Sequence, residues 1–219
     1  MPQFDFDAAR ETMVESQIRT ADVTDLDLLA AFRRTPRERF VPASRMALAY
    51  GDAVVEYDDG RALLRPRDFA KLVQAADIKD HEVVLDIGCA RGYSTAILSR
   101  IADTVVGLES DDETVDRATA LLTDMGVLNA AVVKGDLKRG APEHGPFDVI
   151  LVNAAVTDVP DSWFGQLANG GRLAVIRDAG PIGRATVYTK SGDAVGDRVV
   201  FDAHAPLLPG FVRESSFVF

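Results

Sequence analysis

The sequence predicts an α/β fold, a doubly wound Rossmann-like sheet with helices on both faces, antiparallel strands at its C-terminal edge and an N-terminal helical elaboration. Three observations support this prediction. Apolar runs alternate with helical segments over the middle of the chain. A turn of small residues, Gly88 to Gly92, joins one apolar run to a helical segment. Two later segments flank Ser191-Gly192-Asp193, as strands of a hairpin do.

The first eighty residues predict short helices joined by turns. Asp5 or Asp7 can cap a helix that runs to about Thr20. A second helix is expected to start at Thr24-Asp25 and to end at Thr35-Pro36. The apolar face of this second helix is expected to consist of Leu26, Leu29, Ala30 and Phe32. After it we expect a turn at 36–42 packed by Phe40, a short helix at 43–50, and a loop or short strand at 57–66 with a turn at Asp58-Asp59. Asp68 is then expected to cap a helix that runs to about Ala76.

The rest of the chain predicts alternating strands and helices. Strands are expected at 83–87, 105–108, 130–133, 147–152, 172–176, 185–189 and 198–201, helices at 93–101, 111–125 and 163–167, a turn at Asn169-Gly170-Gly171, and a loop with a possible last strand at 205–219. Because no repeat or linker interrupts this pattern, we predict one domain over 1–219. Residues 1–80 form its N-terminal elaboration and residues 81–219 its binding core.

Composition excludes several classes of protein. The net charge of −10 argues against a general nucleic-acid binder, which needs a basic face. No apolar stretch is long enough to span a membrane. The single Cys89 rules out an internal disulfide, and the acidic start lacks a basic-then-apolar leader, so we expect a cytoplasmic protein. His81, His144 and His204 lack metal-ligand spacing, so no metal site is predicted.

The small-residue turn indicates a nucleoside ligand. Its spacing, Gly88, Ala90 and Gly92, departs from the dinucleotide pattern and resembles motif I of the S-adenosylmethionine (SAM) methyltransferases. Asp86, two residues earlier, suits the cationic SAM better than a pyrophosphate. Glu109 ends the next strand about twenty positions after Gly88, where a carboxylate can accept from both ribose hydroxyls. The plainer alternative is an ordinary α/β turn that uses small residues for helix–strand packing.

A family resemblance extends over most of the chain. Its most selective part is the run Pro-Arg-Glu-Arg-Phe-Val-Pro at 36–42. The other matching segments are 13–18, 49–52, 85–88 with Gly92-Tyr93, 106–109, Gly135-Asp136, 146–148, 153–155 and 170–173. On these segments the chain resembles the protein-L-isoaspartate O-methyltransferases.

The resemblance implies an activity, a cofactor and a partner. Family members use SAM, which leaves as S-adenosylhomocysteine, to methylate the carboxylate of isoaspartyl residues in damaged proteins, and the ester then collapses to a succinimide. The implied partner is therefore a protein or peptide carboxylate. The implied cofactor contacts are Asp86, Gly88, Glu109 and Asp136, and their neighbours Cys89, Ala90, Gly92, Tyr93, Ser110, Leu137 and Asn153 are further candidates.

The chain departs from the family in the substrate loop. The family run Gly-Gln-Thr-Ile-Ser-x-Pro corresponds to residues 60–66, where Ala62 replaces the threonine and Leu64 the serine, so both hydroxyls are absent. Leu64 therefore marks the family's serine position, and Arg61 and Arg65, with Arg67, are candidate replacement donors to a carboxylate. The plainer interpretation of each arginine is a solvated loop charge.

Three functions remain open on this sequence. The first is a protein carboxyl methyltransferase in which arginines replace the lost hydroxyls. The second is a methyltransferase with another, small or apolar, acceptor, for which Leu63 and Leu64 would line a pocket; core packing is their commoner use. The third is a non-catalytic SAM-binding or scaffold protein.

Overall fold

The computed structural model describes residues 4–57, 60–178 and 182–211. Its strands are β1 (Val55–Glu56), β2 (Ala62–Leu63), β3 (Val83–Ile87), β4 (Thr104–Glu109), β5 (Ala130–Lys134), β6 (Phe147–Val156), β7 (Leu167–Arg177), β8 (Arg184–Ser191) and β9 (Ala194–Asp202). Its α-helices are α1 (Phe6–Met13), α2 (Leu26–Arg34), α3 (Pro66–Ala76), α4 (Tyr93–Leu98), α5 (Asp112–Asp124) and α6 (Asp161–Gly165). The predicted turn at Asp58-Asp59 and the predicted ending at 212–219 lie outside the described residues.

Seven strands form one sheet in the order β5-β4-β3-β6-β7-β8-β9. The first five are parallel, and β8 and β9 add an antiparallel edge. This confirms the predicted doubly wound sheet and its terminal hairpin. Chain order reverses between β3 and β6, so the carboxyl ends of these two strands border the crevice in which such sheets bind ligands.

The N-terminal helices and the sheet share one hydrophobic core. Side chains from α1 and α2, such as Met13 and Phe32, belong to the same buried cluster as Val84 of β3 and Val149 of β6. Phe32 and Phe69 pack against Tyr93 at the start of α4. The N-terminal elaboration thereby covers one face of the sheet beside the small-residue turn.

Two details of the predicted N-terminal helices are wrong. Leu26 is 78% exposed, whereas Leu28 and Ala31 face the core, because Asp25 caps α2 and places Leu26 at its first, outward-facing position. Asp68 does not cap α3; Arg65 is the N-cap and Pro66 occupies the first helical position, which suits its fixed φ. The first predicted helix does extend to about Thr20, but beyond Met13 it continues as a π-helical turn, Val14–Ile18, and a 3-10 turn, Arg19–Ala21.

Two predicted boundaries after β6 are also wrong. The helix predicted at 163–167 is α6, which ends at Gly165, because Leu167 already pairs with Phe147. The predicted turn at Asn169-Gly170-Gly171 lies inside β7, where Gly170 adopts a φ of +83° and the register against β6 is irregular. Long-range strand pairing therefore overrides the local turn signal.

In the part of the chain that the structure describes, no helix is long and apolar enough to cross a membrane.

Candidate active site

The predicted turn connects β3 to α4 at the reversal point of the sheet. Gly88, Ala90 and Gly92 all adopt positive φ, at 72°, 51° and 88°. At Gly88 an added Cβ would come within 2.6 Å of Leu208 Cδ1, so any other residue here would have to adopt a strained backbone and displace the Leu208 side chain. Ala90 adopts the left-handed conformation although it is not a glycine. Its N–H points into the turn and donates to Glu109 Oε1 at 2.8 Å.

Asp86 is fully buried beneath this turn. Ser94 and Thr95 in the first turn of α4 each donate to Asp86 Oδ2 at 2.7 Å, and Asn153 of β6 donates to Oδ1 at 2.5 Å. Burial raises the pKa of Asp86 to about 6, although these three hydrogen bonds favour the ionised form; the nearby Glu109 carboxylate adds to the rise. Asp86 thus joins β3, α4 and β6 and orients Asn153 at the edge of the crevice.

Glu109 ends β4 with its carboxylate buried. Arg61 reaches it from the position just before β2: Nε lies 2.9 Å from Oε1 and Nη2 lies 2.5 Å from Oε2. Arg61 Nη2 also donates to Ser110 Oγ at 2.8 Å. The side chains of Arg61 and Glu109 are only 6% and 0% exposed, so this is a buried, two-pronged ion pair. Glu109, the residue predicted to bind ribose, is therefore already paired with the guanidinium of Arg61.

The space over Gly88 is correspondingly narrow. It is a cleft with about 10 Å³ of free volume, bordered by Arg61 and Ala62 on one side and by Asn153, Ala154 and the segment 206–209 on the other. That segment is attached to β6, because Leu208 N–H donates to the Ala155 carbonyl at 2.8 Å.

A wider groove continues past Ser110. It has a volume of about 880 Å³, and its lining includes Asp136, Leu137 and Gly210. Asp136 is exposed there and accepts from the Lys138 N–H at 2.8 Å. Ser110, Asp136 and Leu137 therefore lie together at one end of the crevice.

Two other predicted cofactor residues have side chains that face the interior. Tyr93 is 1% exposed and packs among Phe32, Phe40 and Phe69. Cys89 is 3% exposed, and burial, with the nearby Asp86 and Glu109 carboxylates, raises the pKa of its thiol. Only backbone atoms of these two residues are available to a ligand, and Cys89 is a small residue in a tight turn rather than a nucleophile.

The substrate-loop candidates separate in space. The Leu64 side chain is 3% exposed and belongs to the core, as does that of Leu63, so the apolar acceptor pocket suggested for this pair is not formed. Arg65 is a third exposed, and its Nε lies 3.7 Å from Asp52 Oδ1. Asp52 and Arg67 line a different groove. Within the described part of the chain, Arg61 is the candidate arginine that borders the crevice.

One residue that holds the loop was not singled out from the sequence. Arg37, in the selective run 36–42, is fully buried, and it donates from Nε to the Ala49 carbonyl and from Nη2 to the Leu64 carbonyl, both at 2.7 Å. Its guanidinium also lies 4.9 Å from the Tyr93 ring centroid. The run contains three charged residues in succession, Arg37, Glu38 and Arg39, and nothing in the sequence marks Arg37 as the buried one.

Comparison with known proteins identifies relatives that cover most of the chain. A model of the family "Protein-L-isoaspartate(D-aspartate) O-methyltransferase (PCMT)" matches residues 8–200. A protein-L-isoaspartate O-methyltransferase of Opitutus terrae is 39% identical over 176 residues, which are 80% of this chain and 73% of the relative. One of Methanoculleus marisnigri is 38% identical over 164 residues, 75% of this chain and 74% of the relative.

Solved structures agree with these matches. A protein-L-isoaspartate O-methyltransferase superposes with a TM-score of 0.81 at 28% identity, covering 92% of this chain and 66% of that one. A Plasmodium falciparum structure, described as a putative protein-L-isoaspartate O-methyltransferase in complex with S-adenosyl-L-homocysteine, superposes with a TM-score of 0.77 at 17% identity. This superposition covers 94% of this chain and 99% of that one. The second likeness concerns the fold alone.

Proposed function

Because the chain belongs to the protein-L-isoaspartate O-methyltransferase family, and is therefore a SAM-dependent methyltransferase, we propose that it methylates isoaspartyl carboxylates of proteins. The observation that carries this proposal is the position of Arg61. Its guanidinium borders the crevice beside Ala62, the position at which the family has a hydroxyl donor. A guanidinium recognises a carboxylate through two parallel hydrogen bonds, so it can replace neutral donors.

The residues at the crevice fit the cofactor chemically. SAM supplies a methyl group on a sulfonium and carries an ammonium group and a ribose. Glu109 is the acceptor for the ribose hydroxyls, and Asp136 with Leu137 lines the wider end of the crevice for the base. Gly88 offers a backbone without a side chain, and Asp86, through Asn153, supports the edge of the site. Five neighbouring residues would also contribute contacts to the cofactor: Ser110, Cys89, Ala90, Gly92 and Tyr93, the last of them through its backbone.

The chain's part in the reaction is to position the reactants. A carboxylate is ionised at neutral pH, since its ordinary pKa is about 4, so no general base is required. The protein must hold the attacking oxygen in line at roughly 3–3.5 Å and exclude water. The loss of one hydrogen bond to a charged group costs roughly 1.5–3 kcal/mol, so the two missing hydroxyls need a replacement, and Arg61 supplies the matching charge.

A different acceptor is the weaker alternative. Leu63 and Leu64, the side chains that would line an apolar pocket, belong to the core. A cofactor-binding protein without turnover is the other alternative, and the narrow cleft over Gly88 is the observation in its favour. The cytoplasmic location and the absence of a nucleic-acid partner remain predictions from composition.

The test is transfer of labelled methyl from SAM to an isoaspartyl peptide, with the normal aspartyl peptide of the same sequence as control. We expect label in the isoaspartyl peptide alone, in a base-labile ester. Binding of S-adenosylhomocysteine is measured calorimetrically on the same sample. Equal labelling of both peptides would contradict isoaspartyl selectivity. Binding without any labelling would contradict the proposed acceptor and favour one of the two alternatives.

A further inference from the structure

The Arg61–Glu109 pair uses up the acceptor capacity of the carboxylate. Oε1 accepts from the Ala90 N–H at 2.8 Å and from Arg61 Nε at 2.9 Å. Oε2 accepts from Arg61 Nη2 at 2.5 Å and from the Ser110 N–H at 3.1 Å. A carboxylate offers about four lone-pair positions, so none is left for two ribose hydroxyls. Arg61 and a ribose therefore exclude each other at Glu109.

Arg61 lies in a short stretch between two buried anchors, so rotation of its side chain is enough to take the guanidinium away from Glu109. β1 and β2 form a two-stranded sheet of two residues each, and such an isolated pair contributes little stability by itself. Gly60, immediately before Arg61, has a φ of +77° and no atom within 4 Å of an added Cβ. The chain is anchored on both sides of Arg61, by the buried Val55 and Tyr57 before it and by the buried Leu63 and Leu64 after it.

Displacement of Arg61 from Glu109 releases its guanidinium toward the cleft. A guanidinium taken from a buried carboxylate loses its hydrogen bonds and must be rehydrated or paired again. Arg61 and Ala62 border the same cleft, so a carboxylate entering there meets the released guanidinium. The methyl acceptor is a ligand that brings a carboxylate to this cleft.

We propose that Arg61 occupies the ribose position of the cofactor in the free protein and that cofactor binding transfers Arg61 from Glu109 to the carboxylate of the acceptor. This assigns Arg61 a coupling role: the cofactor binds first, and the carboxylate-binding group becomes available only afterwards. The second half of this inference rests on the proposed function. The first half depends only on the family's cofactor.

Arginine-selective modification by phenylglyoxal, located by peptide mass spectrometry, tests the exchange on the unaltered protein. Arg61 should be protected in the free protein and should react about tenfold faster with saturating S-adenosylhomocysteine, because a minor open state is typically 0.1–10% populated. Arg117, 39% exposed on α5, is the internal reference and should react equally in both samples. Equal Arg61 reactivity with and without S-adenosylhomocysteine would overturn the exchange.

Addition of the isoaspartyl peptide to the S-adenosylhomocysteine complex tests the transfer. The peptide should protect Arg61 again, and the aspartyl peptide should not. If the isoaspartyl peptide leaves Arg61 reactive, the transfer to the acceptor is overturned while the exchange at Glu109 stands.

A matched pair of variants gives an independent readout. Arg61→Gln removes the competing cation and restores the residue of the family run. If the binding-competent state of the parent protein is populated at about 10%, its affinity is lowered about tenfold, so the variant should bind S-adenosylhomocysteine about tenfold more tightly. Arg117→Gln removes the same charge from the surface and should leave the affinity unchanged. Unchanged or weaker binding by a folded Arg61→Gln protein would overturn the competition; if that variant does not fold, the modification experiment decides.

These readouts separate the inference from the proposed function. Neither the affinities for S-adenosylhomocysteine nor its effect on the modification of Arg61 requires methyl transfer. Failure of both the parent and Arg61→Gln to bind S-adenosylhomocysteine would contradict the cofactor itself. Binding that is indifferent to Arg61 would contradict only the inference.

Discussion

Two buried acids of the crevice, Asp86 and Glu109, differ in what they are bonded to. Neutral donors from Ser94, Thr95 and Asn153 surround Asp86, whereas the Arg61 guanidinium faces Glu109. Neutral donors offset only part of the desolvation of a charge, so burial dominates at Asp86 and raises its pKa to about 6. Asp86 is therefore a group whose protonation should be visible in the stability of the protein.

Asp86→Asn tests this directly. The folded pKa of Asp86 lies above the unfolded value, so the native state binds the proton more tightly, and stability from this group grows as pH falls through about 6. Relative to the variant, the parent should gain about 1 kcal/mol of unfolding free energy between pH 7 and pH 5. Urea unfolding of both proteins at the two pH values measures the difference. A constant difference would show that the pKa of Asp86 is not raised.

At the scale of elements, the crevice is built from pieces far apart in the chain. The turn after β3 provides its floor at Gly88, β2 brings Arg61 from one side, and the segment after β9 brings Leu208 from the other. Leu208 is held by the backbone of β6 through Ala155. Gly88 therefore has two roles: it permits the turn, and it leaves room for the Leu208 side chain.

A comparison of two glycines tests that contact. Gly126, after α5, also has a positive φ, at 69°, but no atom lies within 4 Å of an added Cβ. Gly126→Ala should cost only backbone strain, about 1–3 kcal/mol. Gly88→Ala should cost more by about 1–3 kcal/mol, because its Cβ collides with Leu208. The free energies come from urea unfolding of each variant, and equal losses at the two positions would contradict the close contact.

At the scale of the molecule, the N-terminal helices and the sheet cannot be separated without exposing a shared core. Phe32 and Phe69 pack against each other, and both pack against Tyr93 of α4. Arg37 ties the loop at Leu64 to the same cluster. This supports the proposal of one domain, with residues 1–80 as the substrate-side elaboration and residues 81–219 as the cofactor-binding core.

A single cooperative unfolding transition is the expected consequence. Trp163 is the only tryptophan of the chain, and it is buried in a second core cluster with Leu85 of β3 and Leu173 of β7. Its fluorescence should therefore change at the same urea concentration as far-ultraviolet circular dichroism, which also reports the N-terminal helices. If the two probes gave separate midpoints, residues 1–80 would unfold as an independent unit.

The sequence alone determined the sheet and its antiparallel edge, and it singled out Asp86, Gly88, Glu109 and Asp136 as candidate cofactor residues. These follow from hydrophobic periodicity, glycine conformation and the geometry of parallel strands, which short segments encode. The errors at Leu26 and Asp68 are errors of helix register, where one residue decides which side chain faces inward.

Only the tertiary structure decided what those residues contact. Arg61 meets Glu109, Leu208 covers Gly88, and Leu64 turns into the core. Each of these depends on the docking of a hairpin or terminal segment against a distant strand. Such docking is set by the packing of the whole core, and no local pattern around Arg61 distinguishes a solvated loop charge from a guanidinium buried against the ribose acceptor.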